Sequence, residues 1–432
     1  MNNLKLNFFY ELDRDIQSNL SKVFRNDSEK IYDLLLKKGI YKKEENEDVF
    51  SLEYVGIIAY KETVISVLPK FLRRYNLSEK EKCEALKLTI NVIKKYTNDN
   101  DTIIGTEESN LSGGSLFSLI DYFFKDYLKN GIYENYIDKK EFNGEGEINW
   151  EETLESETAY YIDEKPVYLN FLTEELEDDE DNFIKKIHKY ILNNSARYLK
   201  ESQINNVLDL IDIPSFDVYV DEELGDKDYL IDKIESELKV QFSESKIILL
   251  KKMKSYIHKI YNDTDDGVEL WGVNKFWAVW ERICKEVLGD QKELYKEIPK
   301  PKWTNNNGQG KEAKDTLIPD VLREEEDRFY IFDAKYYDFY FKDNGELGGN
   351  PPGVPSITKQ YAYELVFEKY LEKEKKQKNI KNYFVIPTGD NSGIIGKVEF
   401  DVFDLKPIEV LSLNYEEVFK MYLNNKRYHL SV

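Results

Sequence analysis

Cysteine and histidine are scarce in this sequence, and their scarcity limits the chemistry of the chain. The 432 residues include only two cysteines, Cys83 and Cys284, and only three histidines, His188, His258 and His429. The cysteines lie far apart in helix-like segments, which favours reduced thiols in a cytoplasmic protein over a disulfide framework. A structural zinc site is disfavoured because it needs several clustered Cys or His ligands.

Long apolar runs and targeting segments are also missing. No stretch approaches the roughly 18 consecutive apolar residues that a membrane helix requires. The N-terminus, MNNLKLNFFYELDRD, lacks a basic segment followed by an apolar one. We therefore expect no transmembrane helix, no signal peptide and no membrane partner. A GxxxxGK[ST] motif is absent too, so the chain has no phosphate-binding P-loop of its own.

The charge is strongly negative but unevenly distributed. The net charge is −22, from 61 Lys and Arg against 83 Asp and Glu. Residues 271–432 carry 25 basic and 27 acidic side chains, a net of −2, and residues 1–270 hold the remaining −20. Net acidity argues against nucleic-acid binding, but here the argument applies to the front of the chain. The near-neutral C-terminal part remains a candidate for contact with nucleic acid.

Hydrophobic periodicity predicts a mixed α/β protein with three regions. Residues 1–98 form an α+β N-terminal domain and residues 99–270 an acidic, largely helical middle region, with a polar turn at 97–101 marking the boundary. Within the middle region, the acidic run 174–181 is interpreted as a solvated loop or helix start. Residues 271–432 form the third region.

Local motifs support the N-terminal assignment. The segment 28–38 has the apolar spacing of an amphipathic helix. The runs 49–60 and 63–71 predict two strands of a hairpin, because only two residues separate them. Ser78 followed by Glu81 is a capping box that opens a further helix.

The third region alternates between helix and strand. Its predicted helix at 271–288 places Phe276, Trp280, Ile283 and Val287 on one face. A loop containing Lys300, Lys302, Lys311 and Lys314 follows. The remaining elements are strands at 317–323 and 329–337, a helix at 357–373 and a buried strand at 382–387.

The chemistry is concentrated in the predicted strand pair. Asp320 ends the triplet IPD, and Asp333 and Lys335 frame the triplet DAK. Positions i and i+2 of a strand face the same side, so Asp333 and Lys335 share a face, and hairpin pairing brings Asp320 beside Asp333. Two converging carboxylates suit Mg²⁺, with Mn²⁺ as a substitute. The pattern predicts a PD-(D/E)xK nuclease core in which Lys335 orients the attacking water; a structural ion pair is the alternative.

Two further residues are weaker candidates for the same site. Glu281, in the middle of the predicted helix upstream, is an auxiliary metal ligand or a solvated helix residue. Gln360, after Lys359 on the next helix, contacts DNA or metal-bound water, or belongs to an ordinary exposed helix face. We therefore predict Asp320, Asp333, Lys335, Glu281 and Gln360 as catalytic residues, with Asp320, Asp333 and Glu281 as metal ligands.

Several segments together resemble a known family. The helix FWAVWERIC, the pair IPD and FDAKYY, the segment PGVPSITKQYAYE and the strand NYFVIPT resemble the LlaJI family of restriction endonucleases, relatives of the McrC nuclease subunit of McrBC-type systems. At the front, YVGIIAY, ISVLPKF and GEINWEET are similar to McrC-like segments. The resemblance spans most of the chain but is thin over 155–260.

The resemblance implies a division of labour. A McrB-like AAA+ GTPase would recognise and translocate double-stranded DNA, and this chain would stimulate that GTPase and cleave the DNA. The missing P-loop agrees with a separate nucleotide-binding partner. Two alternatives remain open: a non-catalytic adaptor that activates the GTPase and clamps DNA, and a standalone structure-specific nuclease.

Overall fold

The computed structural model describes most of the chain. The described residues are 7–13, 16–43, 50–60, 63–101, 116–179, 182–201, 214–217, 224–261, 267–314, 316–342, 344–400, 402 and 405–430. The predicted hairpin turn at 61–62 and the last residues of the acidic run, 180–181, lie outside these ranges.

The described residues form eleven α-helices and twenty strands, which confirms the mixed α/β class. The helices are α1 (Ile16–Phe24), α2 (Ser28–Lys37), α3 (Glu79–Asp101), α4 (Leu116–Asn130), α5 (Trp150–Ser156), α6 (Phe183–Glu201), α7 (Lys227–Val240), α8 (Glu244–Ile260), α9 (Phe276–Leu288), α10 (Val354–Lys373) and α11 (Tyr415–Leu423). The strands before α9 are β1 (Asn7–Tyr10), β2 (Tyr41–Lys43), β3 (Phe50–Leu52), β4 (Val55–Tyr60), β5 (Thr63–Leu68), β6 (Tyr136–Phe142), β7 (Glu147–Ile148), β8 (Tyr160–Ile162), β9 (Lys165–Val167), β10 (Leu172–Asp178) and β11 (Val268–Val273). Those after it are β12 (Lys302–Thr304), β13 (Gly310–Glu312), β14 (Val321–Glu324), β15 (Arg328–Ala334), β16 (Phe339–Phe341), β17 (Leu347–Gly349), β18 (Asn379–Thr388), β19 (Gly393–Val398) and β20 (Ile408–Asn414).

The chain divides into two compact units. Unit 1 contains residues 1–115 and 266–432, and unit 2 contains residues 116–265. Unit 2 is therefore inserted in the sequence of unit 1. No described helix is long and apolar enough to cross a membrane.

One sheet joins the two sequence segments that make up unit 1. Its strand order is β1-β5-β4-β11, with β4 and β5 forming the predicted hairpin. Apolar side chains from this sheet pack against α1 and α2 in a continuous core that includes Leu35, Ile58 and Ile65. The capping box is present, since the Ser78 backbone N–H donates to Glu81 Oε2 at 2.7 Å and the Glu81 N–H donates to Ser78 Oγ at 3.3 Å.

The second sheet of unit 1 has the order β14-β15-β18-β20-β19. Strands β15, β18 and β20 are parallel, and β14 and β19 are antiparallel edges. Helix α10 connects β15 to β18 and packs Tyr363 and Phe367 against Phe329 and Ile331. Side chains on both faces of β15 are buried, which explains its nearly continuous apolar sequence.

Three local predictions were wrong. Residues 97–101 continue helix α3 and do not form a turn. Glu174 to Asp178 belong to strand β10, which pairs with β6 through residues of opposite charge such as Lys140 and Glu174. Trp271 lies on strand β11, because its run VELWGV pairs with β4, and the helix begins only at Phe276.

Candidate active site

The β14–β15 hairpin brings the two predicted carboxylates together. Val321 pairs with Phe332, so Asp320 lies opposite Asp333 where the hairpin opens. The Ala334 backbone N–H donates to Asp320 Oδ2 at 2.7 Å, which fixes the first carboxylate against the second strand. Asp333 is only 5% exposed. A carboxylate at this depth needs a cationic partner or a metal, because burial of an unpaired charge is costly.

Lys335 supplies one such partner. Its Nζ lies 2.6 Å from Asp333 Oδ2, as expected for two side chains on the same face of a strand. The Lys335 backbone N–H donates to the Val385 carbonyl at 2.8 Å, so pairing with β18 continues one residue beyond β15. This backbone hydrogen bond holds Lys335 at the C-terminal ends of the parallel strands, where its ammonium group lies beside the two carboxylates.

The pKa of the Asp320 carboxyl is raised at this site. Burial, followed by the nearby carboxylates of Asp333 and Glu281, raises the pKa of Asp320 to about 7. The hydrogen bond from Ala334 acts in the opposite direction. One lysine therefore leaves the local negative charge incompletely balanced, which favours an additional cation.

Two tyrosines border the carboxylates, and the sequence analysis did not identify them. The Tyr295 hydroxyl lies between two acceptors, Asp290 Oδ1 at 2.8 Å and the Asp320 carbonyl at 3.1 Å, and Tyr363 donates to the Ile318 carbonyl at 2.7 Å. Burial and nearby acidic groups raise the pKa of both hydroxyls, so both remain donors at neutral pH. For Tyr363 a signal existed, since it lies three residues after Gln360 and thus on nearly the same helix face.

Glu281 lies near the pair but already has a partner. It projects from α9 and accepts from Lys285 Nζ at 2.6 Å, one helical turn away. It is close enough to contribute to the raised pKa values of Asp320 and Cys284. The structure thus places it at the periphery of the carboxylate pair, and its role as an auxiliary ligand stays a prediction.

Gln360 is buried, so the exposed-face interpretation was wrong. Its side chain is 0% exposed and donates from Nε2 to Asn382 Oδ1 at 2.6 Å and to the Tyr383 carbonyl at 3.3 Å. Asn382 in turn donates to Glu364 Oε2 at 2.8 Å. The Oε1 atom of Gln360 has no hydrogen-bond partner among the described residues. Gln360 therefore belongs to a buried polar cluster between α10 and β18.

Comparison with known proteins identifies the family. The family model of the LlaJI restriction endonuclease matches residues 54–416. The chain is also 31% identical over 410 residues to the type II restriction enzyme BsuMI component YdjA of Bacillus subtilis (strain 168), covering 91% of this chain and 85% of that protein. This chain belongs to the LlaJI restriction endonuclease family.

Solved structures resemble the LlaJI-family chain more distantly. A chain from the tetradecameric assembly of Thermococcus gammatolerans McrB AAA+ hexamers with bound McrC aligns over 97% of this chain and 99% of its own length, with 16% identity and a TM-score of 0.41. A chain of the Thermococcus gammatolerans McrBC complex aligns over 58% and 79%, with 15% identity and a TM-score of 0.25.

The donor set of the LlaJI-family chain fits a hard divalent cation held by few protein ligands. Among the described residues, no three His, Cys, Asp or Glu side chains are grouped as a metal site. Asp320 and Asp333 provide two carboxylates, and Mg²⁺ commonly binds through one or two carboxylates while keeping waters and substrate oxygens. The observation that favours a cation here is the convergence of the Asp320 carboxylate on the buried Asp333 carboxylate at the end of the hairpin.

Proposed function

We propose that the chain is a Mg²⁺-dependent DNA endonuclease with a PD-(D/E)xK core, in which Asp320 and Asp333 hold the metal and Lys335 acts on the scissile phosphate. The observation that carries this proposal is the pair formed by the half-buried Asp320 and the buried Asp333, with an ammonium group 2.6 Å from Asp333. Family membership supports nuclease activity. Mn²⁺ is expected to substitute for Mg²⁺.

The residues divide the work of phosphodiester hydrolysis. A bound divalent cation would supply Lewis acidity and lower the pKa of a coordinated water. Asp320 and Asp333 would hold that cation, with Asp320 kept in place by the Ala334 N–H. Lys335 would orient the attacking water and neutralise charge that develops on the phosphate. Tyr295 and Tyr363 would keep the Asp320 backbone in position through their hydrogen bonds.

We further propose that the chain works as one component of a GTP-dependent restriction system that resists phage. Its partner would be a McrB-like AAA+ GTPase, which the chain would stimulate and which would bring double-stranded DNA to the site. The absence of a P-loop and the McrC-like front segments support this assignment. The BsuMI relative is likewise named as a component of a restriction enzyme. A cytoplasmic location stays a prediction. The two cysteines, Cys83 and Cys284, are both free thiols.

Substitution of the central residues tests the catalytic proposal. Asp333→Asn and Lys335→Gln should each lower plasmid cleavage by at least about a hundredfold, because each removes charge stabilisation at the phosphate. Cleavage is measured with the full chain, its AAA+ partner, GTP and Mg²⁺. Asp327→Asn and Lys342→Gln make the same chemical changes at exposed positions of unit 1 and should cut normally. Wild-type rates in both active-site variants would exclude this site.

The two alternatives give different results in the same assay. A non-catalytic adaptor would leave DNA intact in every variant while still raising GTP hydrolysis by the partner, and its Mg²⁺ or Mn²⁺ binding would not depend on Asp320. A standalone nuclease would cut without partner or nucleotide. The net charge of −2 over 271–432 argues against strong unaided DNA binding, because phosphate contacts supply much of the affinity.

A further inference from the structure

A two-stranded hairpin projects from unit 1 shortly before the active-site strand. We call residues 299–316 the arm. Its strands β12 and β13 pair through Lys302 with Glu312, Trp303 with Lys311 and Thr304 with Gly310. The turn is closed because the Asn305 N–H donates to the Gln309 carbonyl at 2.8 Å and the Gly308 N–H donates to the Asn305 carbonyl at 3.0 Å. The described residues of the arm, which exclude residue 315, therefore form a β-ribbon.

The base of the arm is fixed beside the carboxylate pair. Thr316 Oγ1 donates to the Pro299 carbonyl at 2.6 Å, and the Ala313 N–H donates to the Pro301 carbonyl at 2.7 Å. Immediately before the arm, Ile298 packs in the same core cluster as Tyr363. Immediately after it, the chain runs through Ile318, whose carbonyl accepts from Tyr363, to Asp320. Only three residues separate the end of the arm from the first metal ligand that we propose.

The surface of the arm is basic and aromatic. Four lysines, Lys300, Lys302, Lys311 and Lys314, are exposed, and in the described part of the chain no carboxylate pairs with them. Trp303 is 77% exposed. It lies directly across the ribbon from Lys311, so an indole ring and an ammonium group share one face. A side chain of this size contributes nothing to the core from such a position.

We propose that the arm contacts the double-stranded DNA substrate next to the scissile phosphate. Its lysines would bind backbone phosphates, and Trp303 would pack against the bases in the groove. This inference rests on the proposed nuclease function and adds to it a substrate-binding element outside the carboxylate site.

The chemistry of the arm fits duplex DNA. A two-stranded ribbon is narrow enough for the major groove of B-DNA. Lysines supply phosphate contacts, and an aromatic side chain in the major groove can make apolar contact with the exposed base edges, such as the thymine methyl group. The arm holds four lysines against two acids, Glu312 and Asp315, in a chain whose net charge is −22. This local reversal of charge favours a polyanion over a neutral or basic protein surface.

Salt dependence of DNA binding tests the lysines. Binding of the full chain to a fluorescent 30-base-pair duplex is measured by anisotropy across a KCl series, with Ca²⁺ replacing Mg²⁺ so that cleavage does not intervene. Each lost phosphate contact should reduce the slope of log K against log[KCl] by roughly 0.9. Lys302→Gln/Lys311→Gln should therefore reduce it by about 2 and weaken binding roughly tenfold or more. Lys80→Gln/Lys397→Gln, an equal charge change elsewhere in unit 1, should leave the slope unchanged.

Substitution of Trp303 provides a second test, because it leaves the charge of the arm unchanged. Trp303→Ala should weaken duplex binding several-fold without changing the salt slope, and Trp303→Phe should retain most of the affinity, because base packing is an aromatic contact. A loss of affinity in the alanine variant that the phenylalanine variant rescues would support the assignment.

Specific outcomes would overturn the inference. The arm does not bind DNA if its variants keep the slope and affinity of the control, whether the chain is measured alone or in complex with its AAA+ partner. Loss of binding to the AAA+ partner in the arm variants, with DNA binding intact, would instead assign the arm to a protein interface. The proposed nuclease function fails separately, when Asp333→Asn and Lys335→Gln cut normally.

Discussion

The two compact units differ sharply in charge. Unit 2 carries 18 Lys and Arg against 35 Asp and Glu, a net of −17 in 150 residues. The 282 residues of unit 1 carry 43 against 48, a net of only −5. The acidity that appears to belong to the whole front of the chain thus belongs mainly to the inserted segment. Repulsion of DNA is a property of unit 2, and the unit with the candidate site is nearly neutral.

The units also use their charged groups differently. In unit 1, the buried carboxyl group of Glu11 accepts from the Tyr336 hydroxyl, next to Lys335, and Arg74 donates to Thr388 at the end of β18. In unit 2, pairs such as Lys139 with Glu177 lie on an exposed sheet, where solvent screens the ion pair and its contribution to stability is small. The charged groups of unit 1 named here thus hold specific positions, whereas the ion pair on the unit 2 sheet faces water.

The largest effect on stability that we predict concerns the sheet that joins the two sequence segments of unit 1. Gly56 on β4 has φ +142°, and a Cβ there would lie 2.3 Å from the Trp271 carbonyl oxygen on β11. Gly56→Ala should combine backbone strain with a clash between strands and lower the free energy of unfolding by about 3–5 kcal/mol. Urea unfolding of the full chain, with soluble yield as a second measure, tests this.

The Gly39→Ala variant is the control, because it introduces backbone strain without a steric clash. Gly39 has φ +67°, and a methyl group added there would meet no atom within 4 Å, so its substitution should cost about 1 kcal/mol. If Gly56→Ala costs no more than Gly39→Ala, the return strand β11 does not hold the N-terminal sheet together.

The second prediction concerns the single buried histidine of unit 2. Burial lowers the pKa of His188 to about 4, and its Nδ1 accepts from the Tyr133 N–H at 3.1 Å. The folded state therefore keeps the ring neutral while the unfolded chain protonates near pH 6.5. This contribution to stability is complete above pH 6.5 and is lost as the pH falls towards 4, by about 3 kcal/mol in total.

Hydrogen exchange of α6 peptides between pH 4 and 7 measures this loss after correction for the intrinsic exchange rate. The His188→Gln variant keeps a hydrogen-bond acceptor but cannot protonate, so its pH dependence should be weaker by that amount. Other acidic groups titrate equally in both proteins and cancel in the comparison. The His258→Gln variant should keep the wild-type pH profile. An identical profile for His188→Gln would show that the ring is not buried neutral.

The sequence predicted the proximity of Asp320, Asp333 and Lys335 better than it predicted the ends of several helices and strands. Asp320, Asp333 and Lys335 follow from strand periodicity and hairpin pairing, which are local rules. Gln360 was misplaced because periodicity alone does not reveal that Asn382, on a strand 22 residues later, would bury its amide. Tyr295 was missed because it approaches Asp320 only after folding brings together residues that lie 25 positions apart in the sequence.

The failure at Trp271 has a related cause. Its aromatic neighbours on the following helix suggest that it begins the same helix, but β11 completes a sheet that starts more than 200 residues earlier. Similarly, the acidic residues of β10 form a strand because lysines of β6 lie opposite them. In both cases the strand forms because it pairs with a segment that is distant in the sequence. The local sequence pattern does not reveal that pairing.

The last prediction tests whether the buried charges of unit 1 position the candidate site. Burial raises the pKa of Glu11, and the hydrogen bond from Tyr336 and the charge of Lys70 oppose this shift. The Tyr336 ring also packs against Phe276, with centroids 5.4 Å apart, and Lys70 Nζ lies 4.6 Å from its centroid. The chain leaving Lys335 is thus anchored to the N-terminal part of unit 1.

Tyr336→Phe removes only the hydroxyl and leaves Glu11 without that donor. We expect a loss of about 1–2 kcal/mol in unfolding free energy, and a fall in kcat of roughly 10- to 100-fold at unchanged KM, as is typical of residues that orient a catalytic group. Tyr337→Phe makes the same change at the neighbouring, half-buried position and should be close to wild type. If Tyr336→Phe loses stability but keeps its kcat, the Glu11–Tyr336 contact serves the fold alone, and the N-terminal part of unit 1 does not position Lys335.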